Sequence, residues 1–200
     1  IKIKKADLCG TKFDFGEWKG VNLSLLGTYQ PRNAAVVLTA VEKLREGGFD
    51  IPDTAVFSGL EEAKWMARFE IIGKNPTVIF DGAHNAEGIS AARKSIEAYL
   101  GKKDVIVVSG VLRDKEYEKI AADIAAVSKE VYTISPPSPR AMSAADYAEV
   151  LRKKGAFATP CHSMSEAISL AKKSAKKQKK HVFILGSLYI YAEAISAVVE

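Results

Sequence analysis

Asp81, Gly82, Ala83, His84 and Asn85 follow directly on the apolar run Thr77-Val78-Ile79-Phe80. A carboxylate, an imidazole and an amide therefore share one tight turn at the C-terminal end of an expected strand. In open α/β folds that edge of a parallel sheet is where ligands bind. A carboxylate here can accept hydrogen bonds from sugar hydroxyls or orient a cation. An imidazole can exchange a proton or donate to a carboxylate or phosphoryl oxygen near neutral pH. The same residues have plainer uses: Asp81 or Asn85 can cap the following helix, and a lone His84 can be structural. Arg68 stands thirteen residues before Asp81, at the start of another strand-like run. Arg113 follows the Ser109-Gly110 turn and offers a planar fork suited to a carboxylate, or to a surface ion pair.

The elements that must position these groups are legible from residue 75 onward. Short, β-branched, continuously apolar runs at Thr77–Phe80, Val105–Val108, Val131–Ile134 and Val182–Leu185 suit strands covered on both faces. Between them lie helical patterns, with Ile89, Ala92, Ile96 and Leu100 on one face and Tyr117, Ile120, Ala121 and Ile124 on another. Ser143 with Asp146, and Ser163 with Glu166, have the spacing of capping boxes. Tyr189, Ala192, Ile195 and Val199 mark a last helix packed on the sheet. The alternation predicts a doubly wound, mostly parallel sheet with helices on both faces. The strands end at Asp81, Ser109-Gly110, Ser135-Pro136 and Gly186-Ser187, so small and polar groups converge on one crevice.

The first sixty or so residues read differently. Residues 1–20 suggest short strands and turns, and Leu23-Ser24-Leu25-Leu26 a strand ending at Gly27. A helix is expected from Pro31, with Val37, Leu38, Val41 and Leu44 as its apolar face, ending at Gly47-Gly48. A second short helix follows Pro52. This piece has too few strands to enclose a core, and is expected to be the tail of a larger domain. The expected division is residues 1–62 and 63–200.

The chain has 200 residues, of which 48% are hydrophobic, enough for a real core and inconsistent with disorder. No apolar run approaches membrane-spanning length and no signal-peptide pattern opens the chain, so a soluble protein is expected. Cys9 and Cys161 lack metal-ligand spacing and suit free thiols in a reducing cytoplasm. The net charge of +5 comes largely from KKSAKKQKK at 172–180. Without interleaved aromatic residues this stretch reads as a solvated helix end rather than a nucleic-acid contact. There is no GxxxxGK[ST] and no GxGxxG. If nucleotide binds, its phosphates are held from outside the chain.

Six segments, in order, have counterparts in one known family: LSLLGTYQPRNAAVVLTAVEKL (23–44), MARFEII (66–72), DGAHN (81–85), GVLRDKE (110–116), SPRAM (138–142) and ILGSLYIYAE (184–193). With them the chain resembles the C-terminal part of bacterial folylpolyglutamate synthase/dihydrofolate synthase, of the Mur ligase superfamily. The resemblance implies a Rossmann-like C-terminal domain preceded by the tail of a P-loop ATPase domain. It implies ATP-dependent addition of L-glutamate to a folate through an acyl phosphate, with Mg²⁺ held by the missing upstream part. It implies that Asn33, Arg68 and Asp81 hold ATP, that Asp81 and His84 are catalytic, and that His84 and Arg113 place the glutamate. A cytoplasmic monomer without nucleic-acid or membrane partners is expected, and the 200-residue chain alone is expected to be inactive. A Mur-type peptidoglycan ligase is the nearest rival, and a basic nucleic-acid-binding domain the other. The chain departs from the family's pattern at Tyr29, where His is usual, and at Met66-Ala67, which replace Pro-Gly.

Overall fold

A computed structural model of the chain describes residues 1–102 and 105–199, the side chain of Val199 excepted. The chain forms two compact units, Ile1–Met66 and Ala67–Glu200. Ser24 ties residues up to Ala63 to the first unit, its amide donating to Leu60 O and its hydroxyl to Ala63 O at 2.6 Å.

The first unit is an antiparallel meander, β1 (Lys2–Asp7), β2 (Gly10–Phe15) and β3 (Trp18–Leu23), followed by α1 (Gln30–Glu46) and α2 (Asp53–Glu61). Alternation along the strands puts Phe13, Trp18, Val21 and Leu23 on one face, against Ala34 and Leu38 of α1 and Val56 and Leu60 of α2. The expectation that this piece cannot enclose a core is therefore corrected. The strand expected at Leu23–Leu26 is also corrected, because β3 ends at Leu23 and the next residues turn. The apolar face expected for α1 is rotated: Leu38 is buried, but Val37 and Leu44 are exposed. Small Ala34 and Ala35 let the helix approach the sheet on the 34–38–41 stripe, and the larger side chains one step round are left outside.

The second unit is a six-stranded sheet in the order β4-β5-β9-β6-β7-β8. Its elements are β4 (Glu70–Gly73), β5 (Val78–Asp81), α3 (Ala86–Leu100), β6 (Val105–Ser109), α4 (Tyr117–Val127) and β7 (Glu130–Thr133). They continue with α5 (Ala144–Lys153), β8 (Phe157–Pro160), α6 (Met164–Gln178), β9 (His181–Leu185) and α7 (Tyr191–Val199). Only β4 is antiparallel. The α/β class and the parallel centre agree with the sequence reading. One face of the sheet, through Val78, Phe80, Ile106, Val108, Val182 and Ile184, packs under α6 and α7.

Both capping serines are in place. The Ser143 hydroxyl accepts from Asp146 N and the Ser163 hydroxyl from Glu166 N. The stripe expected for α7 is not the buried one. Tyr189 lies in a preceding 3-10 turn and is exposed, Ala192 is exposed, and Ile190, Ala194 and Ala197 are buried instead. The expected Val199 contact lies outside the described side chains.

Candidate functional site

The loops after β5, β6 and β9 meet at the C-terminal edge of the sheet. Gly186 N donates to Ala83 O at 2.9 Å, joining the β9 and β5 loops. Gly186 has φ +116°, and a Cβ there would lie 2.6 Å from Gly110 O and 2.7 Å from Ser109 Oγ. The β6 loop is therefore packed against the same point, and only glycine fits it. Strand β9 sits between β5 and β6, while β5 continues into α3 and β9 into α7, so this is a topological switch point of the sheet.

Asp81 ends β5 and is 2% exposed. Its Oδ2 accepts from Phe69 N at 3.0 Å and its Oδ1 from Ala83 N at 2.8 Å. Burial raises its pKa above the usual carboxylate value, opposed by those two amides and by the charge of Arg68. Ala67 and Phe69 both have left-handed backbone, φ +58° and +44°. Such residues are strained and persist where surrounding structure holds them. The holding groups are Asp81, on Phe69 N, and Gly82, whose N donates to Ala67 O at 2.7 Å. Phe69 itself packs edge-on to Tyr99 and Phe183. Between two strained, buried residues, Arg68 is exposed, and among the described residues it makes no hydrogen bond or ion pair. Asp81 thus acts on the turn that presents Arg68 as well as standing in the site.

His84 is half-buried, and its Nδ1 lies 2.9 Å from Gly82 O. A carbonyl only accepts, so Nδ1 carries the proton, and in the neutral ring Nε2 is left as the base. Asn85 does what the sequence leads one to expect: its side chain caps α3 by accepting from Gly88 N at 2.8 Å. Arg113 is also engaged. Its Nε donates to Ala141 O at 3.1 Å and Nη2 to Asp146 at 3.3 Å, with both ionic side chains about sixty per cent exposed. An exposed pair of this kind is worth under about 1 kcal/mol and exchanges readily for another carboxylate.

Asn33 belongs to the first unit, so Arg68, Asp81, His84 and Arg113 share the second unit without it. Its Nδ2 donates to Gln30 Oε1 at 3.0 Å, at the start of α1. It borders an apolar groove of about 620 Å³ lined by Leu25, Val37, Ile51 and Trp65. Cys9 is exposed and Cys161 buried, its thiol pushed up to about 11 by burial. Among the described residues no group of three or more His, Cys, Asp or Glu is arranged to hold a metal ion.

Sequence reasoning missed the groups that knit the loops, above all the Gly186 contact, because strand order is invisible in the chain. It also missed a cleft of about 570 Å³ bordered by Ser135, His162, Ser163, Ser165, Glu193 and Ser196. That cleft lies at a second switch point, where β7 continues into α5 and β8 into α6. Only β8 could have pointed to it, and β8 has no strand signal of its own.

Residues 67–188 match the family described as Mur ligase, glutamate ligase domain. The dihydrofolate synthase/folylpolyglutamate synthase of Bacillus subtilis is 31% identical over 179 residues, covering 88% of this chain and 40% of that protein. The crystal structure of folylpolyglutamate synthase from Thermotoga maritima superimposes with a TM-score of 0.82 at 26% identity, over 99% of this chain and 46% of that one. Folylpolyglutamate synthase of Mycobacterium tuberculosis, solved with ADP and AMPPCP, shares the fold with a TM-score of 0.83 at 24% identity, over 96% of this chain and 46% of that one. The chain thus spans less than half the length of these proteins. With the family's glutamate ligase domain matched across the very turns that carry Arg68, Asp81, His84 and Arg113, the chain belongs to the Mur ligase family.

Proposed function

We propose that this chain is the C-terminal portion of an ATP-dependent ligase that adds L-glutamate to a folate. The names of its relatives support the substrate class, and the knot of loops at the β5–β9–β6 switch point supports the place of the chemistry. The observation that carries the reading is an exposed Arg68, on a turn held by Asp81 and Gly82, in the same unit as a His84 whose Nδ1 is engaged on Gly82 O, leaving Nε2 as the base.

In this reading Arg68 and Asp81 hold ATP, and the same role is proposed for Asn33. Arg68 supplies an exposed charge that makes no hydrogen bond or ion pair among the described residues. Asp81 fixes the turn beneath it through its bonds to Phe69 N and Ala83 N. The substrate carboxylate takes the terminal phosphoryl group of ATP, releasing ADP, and the glutamate amine attacks the resulting acyl phosphate, forming the amide and releasing phosphate. The amine must lose a proton to become a nucleophile, and His84 Nε2 is the group to take it. Arg113 would exchange its single Asp146 contact for a glutamate carboxylate, which its planar fork can hold in bidentate fashion. Magnesium would accompany the nucleotide. In this reading its ligands and the phosphate loop belong to the ATPase part of the ligase. The enzyme is read as a cytoplasmic monomer with reduced cysteines.

The test is incorporation of labelled glutamate into a folate. The intact enzyme is expected to incorporate it in an ATP-dependent manner, and the 200-residue chain alone is expected not to. Incorporation by the chain alone would overturn the assignment of phosphate chemistry to a separate domain. Failure of the intact enzyme with every folate tried would overturn the substrate class.

A further inference from the structure

Ser165, Ser169, Lys172, Lys173 and Lys176 share one side of α6, and with Ile168 and Ala197 they line a groove of about 520 Å³ between α6 and α7. Lys172 reaches across to α7, its Nζ donating to Val198 O at 3.3 Å. Lys173 and Lys176 are exposed. Among the described residues none of the lysines at 172, 173, 176, 177, 179 and 180 is within ion-pair distance of a carboxylate, although eleven lysines and arginines elsewhere form such pairs. Like charges three and four residues apart disfavour the helix that carries them. The helix dipole offsets this only within the last turn. That turn holds Lys176 and Lys177, so Lys172 and Lys173 have no such compensation.

We propose that this groove is a docking surface for a poly-γ-glutamate chain, an inference that rests on the ligase reading above. Successive helix turns set lysines roughly 5–6 Å apart. A γ-linked glutamate chain carries one carboxylate about every 6 Å when extended, from standard bond lengths. Lys172, Lys173 and Lys176 therefore lie within one carboxylate-to-carboxylate step of such a chain and are opposite to it in sign. Ile168 and Ala197 give the groove an apolar floor for the methylenes, and the Ser165 and Ser169 hydroxyls can meet the amides. No aromatic side chain lines it, so it lacks the stacking platform of a single-strand nucleic-acid site. Ser165 also borders the cleft of His162 and Glu193, so the groove opens toward the C-terminal edge of the sheet, where the β5, β6 and β9 loops lie. Glu193 is the acidic group of that cleft, and the anionic chain is placed on the lysine side of it.

The test is fluorescence anisotropy of a labelled penta-γ-glutamate peptide titrated with the 200-residue chain, beside the double variant Lys173→Gln/Lys176→Gln and the charge-preserving Lys173→Arg/Lys176→Arg. Binding is expected that weakens with salt, falls roughly threefold to tenfold in the Gln pair and is kept in the Arg pair. Absence of binding, equal binding by the Gln pair, or tighter binding of a single-stranded oligonucleotide of equal charge would overturn the proposal. The readout needs no catalysis. If the peptide fails to bind while the intact enzyme still ligates glutamate to folate, the docking surface falls alone. If ligation itself fails, the ligase reading falls and the proposal with it.

Discussion

Asp81 carries two roles that can be separated by experiment. Its carboxylate accepts from two buried amides, so Asp81→Ala leaves both unsatisfied and is expected to cost about 2–4 kcal/mol of stability. Denaturant unfolding of the variant measures the cost, and any lost activity has to be judged against it. A carboxyl raised in the folded state contributes stability below its unfolded pKa, and that contribution is lost as pH rises through the folded value. Arg68 opposes the rise by favouring the charged form. Arg68→Gln should therefore match wild type near about pH 3, where the carboxyl is protonated, and fall below it by about 0.5 kcal/mol near about pH 7. Urea unfolding at both pH values checks this, and an equal loss at both would remove the coupling. The site's residue types were legible because a polar turn after an apolar run is a strong signal. The local hydrogen bonds were not. The sequence leaves Asp81 open between helix cap and ligand, and Arg113 open between ion pair and free fork, and it shows nothing of the bond from Phe69 N to Asp81.

At the scale of elements, continuous burial made the central strands readable: Val78–Phe80, Val105–Val108 and Val182–Leu185 are all fully or almost fully buried. Strand β8 was not readable, since Phe157 is exposed and the strand ends in Pro160. The α1 and α7 stripes were misplaced because size decided the contact: alanines, with little surface to bury, let each helix approach its partner closely. The junction of β5, β6 and β9 depends on one glycine. Gly186→Ala would force a left-handed alanine and a Cβ 2.6 Å from a carbonyl oxygen. It is expected to lower stability by about 2–4 kcal/mol and to disorder the loops that carry His84 and Ser109. Thermal unfolding reads the first effect. A variant as stable as wild type would show that the loops do not meet there.

At the scale of the molecule, each unit has a core of its own, the first around Phe13, Trp18 and Leu38 and the second around the parallel sheet. Residues 67–200, expressed alone, are therefore expected to unfold cooperatively in denaturant, as followed by far-UV circular dichroism. A gradual, non-cooperative loss of signal would contradict an independent domain. The doubly wound pattern was legible at this scale, because alternating strands and helices leave few topologies open. The compactness of the first unit was not, because its strands are short and half exposed. The decisive measurement is ADP release by the intact enzyme with L-glutamate and either a tetrahydrofolate or a UDP-linked muramyl acceptor. Release should require glutamate and the folate together, and His84→Ala should lower it by roughly a hundredfold. Release that follows the muramyl acceptor instead, or that His84→Ala leaves unchanged, would contradict the assignment.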